Sequence, residues 1–213
     1  MSKPSTFLFD LDGTLIDSTE LIMSSFRHTM YAHRGMVPSE AEWRAGFGTP
    51  LRPQLARYAR SEEELISMEA TYRAHNREHH DRLIKPFEGI HEVVRELWDR
   101  KSSMCIVTSK NRPATMRGLR HCELDRFFDI LVTADDVTEH KPDPAPVLEA
   151  LLRLKADATG TVFIGDSPHD CVAGHKAKVL TAAALWGPFS RENLEPHSPD
   201  YWLEQPVEIL QFV

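Results

Sequence analysis

The stretch Thr6-Phe7-Leu8-Phe9-Asp10-Leu11-Asp12-Gly13-Thr14-Leu15-Ile16-Asp17-Ser18 decides how the rest of the chain is read. Its apolar run, Thr6 to Phe9, has the length and composition of a short buried strand. The run ends in two aspartates two residues apart, a spacing that turns both side chains to one side of an extended chain. Gly13 then frees the backbone to turn. Two carboxylates this close repel unless something holds them. A magnesium ion would do so through hard oxygen ligands, and it ordinarily keeps a substrate phosphate in its shell. The end of a strand in an open α/β sheet is also where ligand sites usually lie. An Asp-x-Asp pair alone is more often a solvated turn; the strand before it and the Gly-Thr after it make the string specific.

The 213 residues suffice for one large domain or for one domain carrying an insertion. With 41% hydrophobic and 27% charged residues the composition is that of a soluble globular protein. The formal net charge of -7 argues against nucleic acid or an anionic membrane as main partner, since both call for a basic surface. It also means that any phosphate site needs a local cation cluster or a metal. Three cysteines, Cys105, Cys122 and Cys171, give no disulfide framework and fit a reducing, cytoplasmic setting. No signal peptide is read, because Asp10 cuts the first apolar stretch short. A monomer and a homodimer are both left open.

From Ser18, a candidate N-cap, a helix is expected with Leu21, Ile22, Ser25, Phe26, Thr29, Met30 and His33 on one stripe. Gly35 and Pro38 end it. Further helices are expected over Glu40 to Ala45, anchored by Trp43, over Leu51 to Ala59, and over Glu62 to Asp81. The glycine- and proline-containing run Gly46 to Pro50 is a loop. His75, His79 and His80 read as a solvated helical face, since no carboxylate or cysteine set completes a metal site. No strand pattern occurs between Ser18 and Lys85, so residues 18–85 read as a helical insertion tethered near Asp17 and near Lys85-Pro86-Phe87.

Beyond Glu88 strands alternate with helices. Apolar runs at Met104 to Val107, Phe127 to Val132, Thr161 to Ile164 and Val179 to Ala183 are the expected strands. The end of the chain reads as a short strand followed by a helix begun at Pro206. Such alternation implies an α/β fold with a parallel sheet and helices on both faces. Three strands end in reactive groups: Asp10 and Asp12, Thr108, and Asp166. In a parallel sheet these ends share one edge. Read as one site, Asp10 supplies a carboxylate nucleophile. Thr108 offers a hydroxyl and Ser109 a backbone N–H to phosphoryl oxygens. Lys141 neutralises charge and keeps Asp10 ionised. Asp166 completes a metal shell, with Asp170 one helical turn later. That kit is what phosphoryl transfer demands, namely in-line positioning and charge compensation. Cys171, beside Asp170, has no partner that would make it a nucleophile.

Asp10-x-Asp12-Gly-Thr, Ile106-Val107-Thr108, Lys141-Pro142 and Gly165-Asp166-Ser167-x-x-Asp170 resemble, in order, the four motifs of the haloacid dehalogenase superfamily in its phosphatase form. The resemblance is nearest to phosphoglycolate phosphatase-like and pyrophosphatase-like members. It implies a Rossmann-like core over 1–17 and 86–213, with the first strand central, and a small α-helical cap over 18–85. It further implies Asp10 as nucleophile and Asp12 as general acid/base that also binds the metal through its backbone carbonyl. Asp166 would be a Mg²⁺ ligand and Asp170 its support, so that the implied metal set is Asp10, Asp12, Asp166 and Asp170. By the same resemblance the loop from Gly46 to Leu51 faces the pocket, with Gly46 and Arg52 as substrate contacts beside Thr108, Ser109, Lys110 and Lys141. The activity implied is Mg²⁺-dependent hydrolysis of a small phosphorylated metabolite. A β-phosphoglucomutase-type phosphomutase would use the same residues, and a non-catalytic binding protein is a third reading. Asp12 sets the chain apart from dehalogenases, which lack the second aspartate. The absence of lysine between Ser18 and Ile84 counts against Schiff-base phosphonate cleavage.

Overall fold

The computed structural model describes residues 4–213, so residues 1–3 of the assigned core lie outside the described residues. In chain order the strands are β1 (Thr6–Phe9), β2 (Ile16–Asp17), β3 (Lys85–Pro86), β4 (Ser103–Val107), β5 (Ile130–Val132), β6 (Thr161–Gly165), β7 (Leu180–Ala184) and β8 (Tyr201–Leu203). The helices are α1 (Thr19–Arg34), α2 (Glu40–Arg44), α3 (Leu51–Ala56), α4 (Glu62–Leu83), α5 (Ile90–Asp99), α6 (Arg112–His121), α7 (Ala145–Leu154), α8 (Pro168–Lys176) and α9 (Arg191–Leu194). Six strands form a parallel sheet in the order β5-β4-β1-β6-β7-β8.

β1 lies between β4 and β6, with Phe9 level with Ile106 on one side and Ile164 on the other. The three strands therefore finish together, and Asp10, Thr108 and Asp166 emerge at one edge. Strand alternation fixes the layers. Phe7 and Phe9 pack with Val93, Val94 and Leu97 of α5, whereas Leu8 packs with Val147, Ala150 and Leu151 of α7. All three β1 side chains are fully buried, as a central strand covered on both faces requires.

The helices α1 to α4 gather around a separate apolar cluster of Met23, Phe26, Met30, Trp43, Phe47, Leu55, Leu65, Met68 and Tyr72. Trp43 stacks on Phe26 with ring centroids 4.1 Å apart. The two chain crossings into this segment pair with each other: Ile16 opposes Pro86 and Asp17 opposes Lys85 in a two-residue antiparallel ribbon. Sequence reading assigned no strand there, because two residues carry no periodicity.

Several expected elements shift. The strand expected over Phe127 to Val132 is reduced to β5, and Asp125–Phe127 is a 3₁₀ turn. The aromatic residues of that run serve packing instead: Phe128 meets Phe9 edge-on and Phe127 meets Trp98. The closing helix is 3₁₀ over Pro206–Phe212, and α4 runs two residues past Asp81 to Leu83. Ser18 occupies the N-cap of α1 but its hydroxyl makes no capping bond, being drawn to Asp12. His80 is buried, not solvated, and donates from Nδ1 to Asp81 at 2.6 Å. His75 and His79 do lie toward the surface and stack with ring centroids 4.1 Å apart.

Candidate active site

Asp10 leaves β1 as the sheet ends, its N–H donating to Ile164 O at 2.9 Å. Its side chain meets the Lys141 ammonium at 2.9 Å, and the same Nζ donates to Asp170 at 2.6 Å and to Val107 O at 3.2 Å. Asp10, Lys141, Asp166 and Asp170 are each at least 97% buried. Carboxylate oxygens of Asp10, Asp166 and Asp170 lie within 4.8 Å of one another, the one such cluster among the described residues. Asp170 is held by both oxygens: one takes Lys141, and the other accepts from the Ser167 N–H (3.0 Å) and hydroxyl (2.5 Å) in a capping box at the start of α8.

Asp166 is held differently. Thr14, in the turn after β1, donates its hydroxyl to one oxygen at 2.7 Å. Gly13, with φ +88°, passes so close that a Cβ there would lie 2.5 Å from the other oxygen. On the opposite side a Cβ on Gly187 would lie 2.4 Å from the Asp166 Cβ. The loop after β7 thus forms a wall of the site, and Trp186 ties it to the first motif by donating to Thr14 O at 2.9 Å.

Charge and burial conflict here. Burial pushes Asp10 up to about 7; Lys141 opposes this and Asp170 reinforces it. Lys141 acts on Asp10 in the expected direction, towards the ionised form, while desolvation acts against it and is the larger effect in the metal-free site. Burial, then the neighbouring Asp10 and Asp170, also raise Asp166 well above the carboxylate range. Burial works against the Lys141 ammonium, but Asp10 and Asp170 outweigh it and push its pKa up. Three carboxylates facing one ammonium leave an excess of negative charge, and a divalent cation among these oxygens would reverse the rise. The donor set fits Mg²⁺: it is all oxygen, carboxylate-rich and preformed.

Asp10, Asp12, Thr108, Ser109 and Lys110 line a cavity of about 530 Å³ between the sheet edge and the helical segment. Asp12 receives Lys110 Nζ at 2.8 Å and the Ser18 hydroxyl at 2.6 Å, and its carboxylate is outside the Asp10–Asp166–Asp170 cluster. Thr108 Oγ1 accepts from the Lys110 N–H at 3.2 Å. The Ser109 hydroxyl donates to Gly48 O at 2.6 Å, stitching the helical segment to the sheet edge.

Of the two substrate contacts expected from the helical segment, Arg52 lines the cavity and Gly46 does not. Gly46 backs onto Gln54, and Phe47 to Leu51 supply the loop's lining of the cavity. Gly48 makes the close approach, since a Cβ there would lie 2.7 Å from the Ser167 hydroxyl. Arg52 lines the cavity, but Glu62 and Glu69 already share its guanidinium. Cys171 is buried and pushed up to about 12 by that burial, so it is no nucleophile. Ser167 takes the N-cap position its motif suggested, while the contacts of Thr14 and Gly187 with Asp166 were not foreseen. The hydroxyl directly after Asp12-Gly13 was the available signal for Thr14; nothing local marks Gly187.

Fold and site define an α/β enzyme with its carboxylate centre at the carboxyl edge of a parallel sheet. The chain belongs to the haloacid dehalogenase-like hydrolase family, whose model matches residues 7–184. It is 38% identical over 209 residues to pyrophosphatase PpaX of Halalkalibacterium halodurans, covering 98% of this chain and 96% of that protein. It is 39% identical over 209 residues to pyrophosphatase PpaX of Bacillus cereus, with 98% and 95% coverage. Among solved structures, a protein from Haemophilus somnus described as a predicted phosphoglycolate phosphatase superposes with a TM-score of 0.90. It covers 99% of this chain and 98% of its own, and at 20% identity it bears on the fold alone. Among the described residues no helix is long and apolar enough to cross a membrane.

Proposed function

We propose that this hydrolase is a Mg²⁺-dependent phosphatase acting on a small phosphorylated metabolite, a phosphoglycolate-like phosphomonoester or inorganic pyrophosphate. The observation that carries the reading is the buried Asp10–Lys141–Asp166–Asp170 cluster directly behind a cavity lined by Asp10 and Asp12. The relatives named pyrophosphatase support the same class of chemistry.

In this reading an Asp10 oxygen attacks phosphorus in line as the bond to the leaving oxygen breaks. Asp12 delivers the proton that the leaving oxygen takes up. Water then attacks the aspartyl-phosphate, Asp12 accepts its proton, and inorganic phosphate leaves with the Asp10 carboxylate restored. Thr108 and Lys141 offset charge on the phosphoryl oxygens. Mg²⁺ held by Asp10, Asp166 and the Asp12 backbone carbonyl, with Asp170 in support, supplies further charge neutralisation. Residues 18–85 act as a cap that closes over the cavity and excludes water, pivoting at the β2–β3 ribbon.

Phosphate release with Mg²⁺ tests this. Activity on pyrophosphate or 2-phosphoglycolate is expected to vanish with EDTA and in Asp10→Asn. Full activity in Asp10→Asn removes Asp10 as nucleophile.

A further inference from the structure

The helical segment contributes more to the cavity than its loop. Tyr72, Arg73, Asn76, Arg77 and His80, all on α4, line it opposite Thr108, Ser109, Lys110 and Arg117. Five cationic chains line the cavity: Arg52, Arg73, Arg77, Lys110 and Arg117. Four are committed: Arg52 to Glu62 and Glu69, Arg73 to Glu69, Lys110 to Asp12, and Arg117 to Asp81. The Arg77 guanidinium has no ion-pair or hydrogen-bond partner among the described residues; only its backbone carbonyl is used, by Arg117 at 3.0 Å.

Tyr72 is the second observation. Its ring belongs to the apolar cluster of the helical segment and the residue is 93% buried, yet it lines the cavity. No hydrogen bond is made by its hydroxyl among the described residues. Burial, and then the nearby Asp12 carboxylate, make that hydroxyl harder to ionise, so it remains a donor. A free guanidinium and a free donor hydroxyl on one helix, facing a phosphoryl site that already has its own lysine, are complementary to a second set of anionic oxygens.

We propose that Tyr72 and Arg77 form a subsite for a second anionic group on the substrate's leaving portion, a carboxylate or a second phosphoryl group. The proposal rests on the phosphatase reading only for what occupies the first site. It shifts selectivity from Gly46 and Arg52 to one face of α4. Arg77 supplies a planar charged fork and Tyr72 a single neutral bond. Arg77 therefore carries most of the discrimination, and Tyr72 orients the group beside Asp12.

Binding without turnover tests it. Methylphosphonate, phosphonoacetate and methylenediphosphonate are titrated calorimetrically into the Mg²⁺-loaded protein under constant excess Mg²⁺. At least one of the two bifunctional ligands is expected to bind about tenfold or more tightly than methylphosphonate, a factor in keeping with one charge-assisted hydrogen bond. The tighter of the two identifies carboxylate or phosphoryl as the second group. Arg77→Gln is expected to abolish that advantage and Tyr72→Phe to reduce it severalfold, both leaving methylphosphonate within twofold. Equal affinities for all three ligands in the unmodified protein, or equal weakening of all three in Arg77→Gln, overturn the subsite. Loss of phosphate release with this binding pattern intact would count against the phosphatase reading instead.

Discussion

Replacing Lys141 by methionine isolates the central electrostatic feature of the site. Methionine keeps the unbranched apolar stem and drops only the terminal ammonium, so packing changes little, but three buried carboxylates lose their one ammonium. Two contacts, at 2.9 Å to Asp10 and 2.6 Å to Asp170, disappear together with the bond to Val107 O. Removing one partner of a buried ion pair costs about 3–5 kcal/mol, because the remaining charge stays desolvated. For a chain of this size each kcal/mol moves Tm by about 2–4 °C, so the expected fall is about 6–20 °C. Differential scanning calorimetry of the metal-free protein at pH 8 measures it. The loss is expected to shrink at pH 5, where Asp10 holds a proton. It is also expected to shrink in Lys141→Met/Asp170→Asn, which removes one uncompensated charge. A Tm within 2 °C of the unmodified protein at both pH values refutes the reasoning, since it would mean that the carboxylates do not depend on the lysine.

Four further outcomes are expected. Asp10 is raised from the ordinary carboxylate range to about 7, so the folded state holds a proton that the unfolded state has released. Its contribution is full below about pH 4 and lost as pH rises through 7; metal-free stability in urea should fall across that window, and added Mg²⁺ should stabilise more at pH 8 than at pH 5. Asp136 adds the acid limb: burial opposes its charge, but Thr133, Arg112 and Arg153 outweigh this and lower it, so its stabilisation is present above the ordinary carboxylate pKa and lost in acid. Gly187→Ala sets a methyl 2.4 Å from the Asp166 Cβ and 2.7 Å from Gly13 O, so it should weaken Mg²⁺ binding at least tenfold by calorimetry while leaving far-ultraviolet dichroism unchanged. Trp43→Ala removes the ring stacked on Phe26 and should cost about 3–5 kcal/mol of unfolding free energy, read by denaturant titration.

What the chain reveals before folding depends on how local each signal is. β1 and its aspartates were legible because an apolar run stopped by charge is a pattern of neighbours, and the parallel sheet followed from alternation alone. Thr108 and Asp166 could be gathered to one edge because strand ends in a parallel sheet coincide, whereas Lys141, in a loop nine residues past β5, was legible only through its motif. Gly187 was invisible, because its closeness to Asp166 comes from two strands being adjacent and leaves no mark on its own loop. That Arg52 is shared by Glu62 and Glu69 was not legible, because both partners sit on the next helix. Tyr72 and Arg77 were passed over because α4 is only weakly amphipathic, so its sequence does not say which side meets the sheet edge.

The short ribbon of Ile16–Asp17 against Lys85–Pro86 has a topological consequence. The polypeptide departs from the sheet and rejoins it at one address, so everything between is a side branch, not a span. Both covalent attachments of the branch lie at that seam, and its remaining ties to the core, such as Ser109 to Gly48 O and Arg117 to Asp81, are non-covalent. It is also separable: because Asp17 and Lys85 are already partners across the seam, a tight reverse turn grafted there would bridge the cut ends without displacing β1 or α5.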